Sequence, residues 1–178
     1  MSYLSSLLIY KSIWVIRAGR NGEAHNFFMN HSMIVLSDAE MGDLSKLDHT
    51  RDIFYKTYRE KHPRDTRTGS AGIAGKYFRF VHNVQIGDLV LYPALKSKLI
   101  YIGRVKGLYV YDESVDSDFP HHRSVRWELT IPKSILSETA TRELGAARTF
   151  FKYKTHHDEI RQLITDGHGK KISDKIDP

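Results

Sequence analysis

Residues 100–112 read IYIGRVKGLYVYD, a run with three tyrosines, two cations and two glycines. Tyr, Val and Ile are ordinary strand formers, so the run first reads as a strand. Alternation places Tyr101, Gly103 and Val105 on one face and Ile102, Arg104 and Lys106 on the other. Gly107 then permits a bend or a bulge, after which Tyr109 and Tyr111 share a face. Two readings stand side by side: a buried strand pair, or one wall of a site that stacks on a nucleobase.

Working outward, segments 88–92 and 125–131 have the same β character and flank the run. Strands are also expected over 13–18, 33–36 and 149–154. Helices are expected over 23–30, 52–60, 73–83, 134–144 and 157–164, with Gly145 closing the fourth. GRNG at 19–22 reads as a turn and 38–47 as a loop. The Gly, Ser, Thr and Arg content of 64–75 predicts a polar loop there. Short strands separated by turns, with helices chiefly near the two ends, predict an α+β domain: a small curved, barrel-like sheet decorated by helices.

The chain has 178 residues, enough for one well-buried domain. The expected organisation is one domain over 1–165, followed by a polar tail or the start of a linker over 166–178. There is no cysteine, which excludes disulfides, thiolate chemistry and Cys-ligated zinc. The start, MSYLSSLLIYKSIWVIRAG, has too short an apolar stretch for a signal sequence, and nothing approaches membrane-spanning length. A cytoplasmic protein without a membrane partner is expected.

The net charge is +6, and its distribution is uneven. Residues 51–80 hold eight Lys or Arg against three acids, a local +5. Such a stretch suits phosphate-backbone binding, since each neutralised phosphate releases counterion. A solvated basic face is the alternative.

Catalytic constellations are missing from the sequence. No Glu-x-Lys or Asp-x-Lys falls on an expected strand, so the core of the common restriction-nuclease site is absent. The doublets His121-His122 and His156-His157 diverge on strand or helix, and no His-Glu-x-x-His or His-x-x-x-His occurs. No metal and no cofactor is expected. Gly-x-Ser-x-Gly, Walker and dinucleotide-binding loops are missing too. What remains is aromatics and cations together: Trp14, Tyr92, Tyr101, Tyr109, Tyr111 and Trp127 all fall in β segments. Rings stack on bases while Arg and Lys hold phosphates. Core packing is the alternative for Trp14 and Trp127.

The order of motifs carries more than any one of them. WVIRAGRNGE from Trp14, MGDLS from Met41 and FVHNVQIGDLVLYP from Phe80 form the first part. IGRVKGLYVY from Ile102, HRSVRW from His122 and IPKS from Ile131 complete it. This succession resembles the N-terminal domain of Mrr-like restriction-system proteins, which looks PUA-like and related to EVE and SRA modules. The resemblance covers about residues 13–165. It departs from the pattern at Ser37-Asp38-Ala39-Glu40, where relatives tend to carry an aromatic, and at Tyr77, where they often carry Trp.

The resemblance implies a non-catalytic reader that accepts a modified, flipped base, with duplex DNA favoured over RNA and a nuclease domain or subunit as a further partner. Under that reading the base pocket draws on Trp14, Arg17, Asp43, Ser45, Tyr77, Tyr101, Tyr109 and Trp127. Asp43 and Ser45 would meet the base edge, and Tyr101 or Tyr109 would face the mouth. Arg59, Lys61, Arg64, Arg67, Lys76 and Arg123 would hold phosphates. An RNA-binding PUA-like domain, a nuclease with an unfamiliar site and a protein-interaction module are the competing readings.

Overall fold

The computed structural model describes residues 10–172. The reading of the first nine residues as no signal sequence, and the end of the polar tail from 173, lie outside them.

Among the described residues eight strands form one curled sheet: β1 (Ile13–Ile16), β2 (Met33–Leu36), β3 (Leu89–Pro93), β4 (Leu99–Val105), β5 (Val110–Tyr111), β6 (His121–Pro132), β7 (Phe150–Tyr153) and β8 (Lys170–Lys171). The path runs β2-β6-β4-β3-β1-β7, with β5 and β8 also paired to β6. Among the described residues only β1 and β3 run parallel, with Trp14 opposite Val90; the other pairs are antiparallel. The helices are α1 (His25–Asn30), α2 (Arg51–Lys61), α3 (Arg67–Phe78), α4 (Glu138–Leu144) and α5 (His157–Thr165). The result is the expected α+β architecture, a strongly curled half-barrel decorated by helices.

Strand β6 makes the curl. Its first residues pair with β2 and β5, while Val125 onward pairs with β4. The register shifts at the 100–112 stretch: Ile102 faces Leu129 but Gly103 faces Trp127, so Glu128 is the extra residue of a bulge. A Cβ on Gly103 would lie 2.5 Å from Val125 Cγ1 and 2.7 Å from Trp127 Cε3. Only glycine lets the indole pack across β4 here. The bulged Glu128 is buried and ion-paired to Arg104 at 3.4 Å and Arg126 at 2.6 Å.

Both faces of the sheet are covered. Trp14, Ile16, Val90, Tyr92, Val105 and Trp127 form one layer with Phe28 of α1, Phe54 of α2 and Tyr77 of α3. Ile13, Val15, Leu91, Ile102 and Leu129 form the other with Leu144 of α4 and Ile160 of α5. Every residue of β1 is therefore buried, as expected of a strand covered on both sides.

Two expectations need correction. Residues 64–75 are not a loop: α3 begins at Arg67, capped by the Thr66 hydroxyl, which accepts the Gly69 N–H at 3.1 Å. Glycine costs about 1 kcal/mol per position in a helix interior, which is why composition argued against one. Burial of Ser70, Ala74 and Tyr77 overrides that local cost. The tail is not wholly free either: Lys170 pairs with Thr130 and Lys171 with Leu129, and the Ile172 N–H donates to the Glu128 carbonyl.

After α3 the helix widens into a π-turn, Arg79–Asn83, in which the Val84 N–H reaches back to the Arg79 carbonyl at 3.1 Å. That turn leaves the Phe80 and Val81 carbonyls without helical partners. Arg123 supplies them from β6, as set out below. Among the described residues, no helix is long and apolar enough to cross a membrane.

Candidate functional site

Strand β4 forms one wall of a cleft. Tyr101 on β4 and Tyr92 on β3 are stacked, with ring centroids 5.7 Å apart and planes inclined by 25°. His25, at the start of α1, faces both rings and accepts or donates through Nδ1 to the Tyr92 hydroxyl at 2.8 Å. These three rings line a cleft of about 240 Å³ whose polar residues include Asn21, Glu23 and Asn26. The GRNG turn shapes the entrance: Gly19 and Gly22 have φ of +84° and +88°, and the Asn21 N–H donates to Glu23 at 3.0 Å. The Tyr101 ring is half-buried, and its hydroxyl has no protein partner among the described residues.

A second constellation surrounds Asp38, which adopts a left-handed backbone at φ +92°. Its carboxylate meets His62 Nε2 at 3.0 Å and the Tyr77 hydroxyl at 3.3 Å. Its carbonyl accepts from His121 Nε2 at 3.0 Å. The Tyr109 hydroxyl donates to His121 Nδ1 at 2.8 Å and accepts the Leu44 N–H at 3.2 Å. That pattern holds His121 as a neutral imidazole, and burial lowers its pKa accordingly. Lys76 lies over the Tyr77 ring at 4.3 Å, and burial pulls its pKa down to about 8. Outside this network a bowl of about 540 Å³ carries Glu23, Asp38, Glu40 and Asp118 against one cation, Arg20. An acidic bowl repels phosphate, so it sets a polarity on the surface.

The expected site residues divide sharply by place. Trp14 is core: it stacks on Phe150 at 5.2 Å and its Nε1–H donates to Asp88 at 2.9 Å. Trp127 is core too, its indole N–H given to the Phe28 carbonyl at 2.5 Å. Tyr77 is buried, and its hydroxyl is shared between the Ser37 carbonyl and Asp38. Tyr109 is spent on His121; of the two tyrosines expected at a mouth, Tyr101 lines this cleft and Tyr109 does not. Arg17 donates to the Leu144 and Ala146 carbonyls at 3.2 and 3.0 Å, where it closes α4. Asp43 and Ser45 bond to each other at the surface, with the Ser45 hydroxyl 2.7 Å from the Asp43 carboxylate, and neither lines the cleft.

Among the expected phosphate residues, Arg123 must be reassigned. It is 2% exposed and gives its guanidinium to three carbonyls: Phe80 and Val81 at 2.7 Å each, and Gly107 at 3.0 Å. Burial pulls its pKa down to about 10. Arg59 is pinned to the Asp65 carbonyl and, at 3.3 Å, to Ser70. Lys61, Arg64 and Arg67 are exposed and make no ion pair with a described residue. Lys76 lines a separate groove of about 410 Å³ with Arg79 and Arg148. His25 and Arg148 carry no motif of their own; each acquires its place only when distant segments meet. No three His, Cys, Asp or Glu side chains among the described residues come together as a metal site.

Fold and site together define an α+β half-barrel domain with an aromatic cleft and a cationic helical face. The chain belongs to a family recorded as a domain of unknown function, DUF8426, whose family model matches residues 14–153. No curated protein and no solved structure matches it.

Proposed function

We propose that this domain is a non-catalytic nucleic-acid reader, holding duplex DNA by its phosphates and testing one flipped base in the His25–Tyr92–Tyr101 cleft. The observation that carries the reading is the cleft itself: rings on its walls, amide and carboxylate groups beside them, and a half-exposed Tyr101 with an unspent hydroxyl. About 240 Å³ is below the roughly 300–1,000 Å³ of sites for drug-sized ligands, a size suited to a single base. Flipping costs a few kcal/mol of unstacking, and stacking on an aromatic returns about 1–3 kcal/mol per base. Phosphate contacts from Lys61, Arg64 and Arg67 on the α2–α3 face supply the rest. None of residues 51–80 lines the cleft, so base and backbone contacts would come from separate parts of the surface.

The succession of motifs from Trp14 to Ser134 favours a place in a restriction or defence system in the cytoplasm, with a nuclease domain or subunit doing any cutting. The test is a competition among methylated duplex, plain duplex and structured RNA, read by anisotropy, with wild-type protein and Tyr101→Ala. Wild type should prefer the methylated duplex. Tyr101→Ala, with its fold checked by circular dichroism, should lose that preference and keep its binding to plain duplex. Preference for RNA would favour the RNA-binding reading, and cleavage in Mg²⁺ or Mn²⁺ would favour an enzyme. A preference that survives Tyr101→Ala would remove the cleft from base recognition.

A further inference from the structure

The groove beside α3 gathers cations with no acid among its lining residues. Arg79 follows the last residue of α3, and Arg148 stands on the segment leading into β7. Arg51 opens α2 and lies over the Phe78 ring at 5.6 Å, while the Arg148 guanidinium lies over Phe151 at 4.9 Å. None of the three makes an ion pair with a described residue. The Arg79 Nε–H is buried and has no hydrogen-bond partner among the described residues. Burial lowers the Arg79 pKa, and repulsion from Arg51 and Arg148 lowers it further.

Arg51 and Arg148 are exposed, but Arg79 is half-buried, and a charge partly taken from water and set against like charges is costly unless something compensates it. Arg123 and Arg104, by contrast, are compensated: Arg123 has three carbonyls, and Arg104 has Glu128. The contrast makes the arginine cluster a feature to be explained. The α3 side of the groove also favours close approach. A Cβ on Gly72 would meet no atom within 4 Å, and one on Gly75 would meet Arg79 Nη1 at 3.1 Å. Gly75 thus leaves room for the guanidinium to fold back along the helix, and Gly69 and Gly72 line the groove beside it.

We propose that Arg51, Arg79 and Arg148 form a phosphate clamp, and that the anion they receive is a backbone phosphodiester of nucleic acid. Only the identity of the anion rests on the reader function proposed above. Planar guanidinium forks match phosphate oxygens in pairs, which one lysine cannot do. Lys76, in the same groove, adds a fourth positive group.

The experiment uses the full chain as wild type, Arg79→Gln, Arg148→Gln and, as a control, Arg142→Gln, whose side chain is exposed and pairs with Glu138 at 2.7 Å. The probes are inorganic pyrophosphate, followed by thermal melting, and a plain DNA duplex, followed by anisotropy. Pyrophosphate should raise the wild-type Tm by about 2–4 °C and leave Arg79→Gln and Arg148→Gln unmoved. Without anion, Arg79→Gln should melt no lower than wild type, because it removes a repulsion; an arginine held for structure would lower the Tm. Duplex affinity should fall about tenfold in each variant and the salt slope by about one, with Arg142→Gln unchanged. Equal pyrophosphate shifts in all four proteins would overturn the clamp. Undiminished duplex binding by both arginine variants would overturn it while leaving the reader function standing. A clamp that takes pyrophosphate in a protein that binds no duplex would support the phosphate site and sink the reader function instead.

Discussion

Arg123→Ala is expected to cost about 3–5 kcal/mol of folding free energy, a large share of the 5–15 kcal/mol typical of a domain. The reason lies in the π-turn after α3. The Phe80 and Val81 carbonyls there, and the Gly107 carbonyl at the bend, all accept from this one guanidinium. Alanine would strand three buried acceptors and leave a void beside Phe80, whose ring the guanidinium also covers at 5.9 Å. Arg123→Lys should fall between wild type and alanine, since one ammonium cannot reach three carbonyls in fork geometry. Urea titration measures both. A loss under about 1 kcal/mol for alanine would place Arg123 among surface residues and restore it as a phosphate ligand.

Asp88→Ala should cost about 3 kcal/mol, for a parallel reason with the signs reversed. One buried carboxylate accepts the Ser12 N–H at 3.1 Å, the Trp14 indole N–H at 2.9 Å and the Gln85 N–H at 3.0 Å. It ties β1 to the turn before β3, its parallel neighbour in the sheet. Asp88→Asn should lose less, because an amide keeps one oxygen but turns a donor toward another donor. Trp14 reports on the site directly: wetting of its indole in Asp88→Ala should shift tryptophan emission to the red. A variant with unchanged melting and unchanged emission would mean that these three donors find other partners.

These two residues show where the sequence was legible and where it was not. β-Branched and aromatic runs marked β1, β2, β3 and β4 closely, because burial on a pleated surface selects those side chains locally. The start of β6 was hidden, since His121 and His122 look polar. His121 is buried only because Tyr109 and Asp38, distant in the chain, satisfy both its nitrogens. The first half of α3 was hidden by its glycines, while the helix was legible from Ile73 onward, and Arg123 looked like a phosphate ligand because a π-turn cannot be read from FRFVHN. Tyr101 was legible as a wall residue from strand alternation. His25 and Arg148 were not, because each meets its neighbours through tertiary contacts alone. Trp14 and Trp127 resolved toward packing, the outcome that favours large rings wherever their N–H groups find acceptors inside.

The Asp38 network sets the limits of the cationic face. Lys76 is drawn inward over Tyr77, while Lys61, Arg64 and Arg67 remain in solvent. Side chains of the second kind suit long-range attraction to a polyanion, which weakens steeply as salt rises.

The salt dependence of duplex binding by the wild-type chain therefore tests the central claim most directly. Anisotropy titrations between low and physiological salt should show log affinity falling linearly with log salt, by about 0.9 per phosphate engaged, with a total slope of about −3 or steeper. No binding at low salt, or binding with a flat salt dependence, would contradict a domain that holds nucleic acid by its backbone.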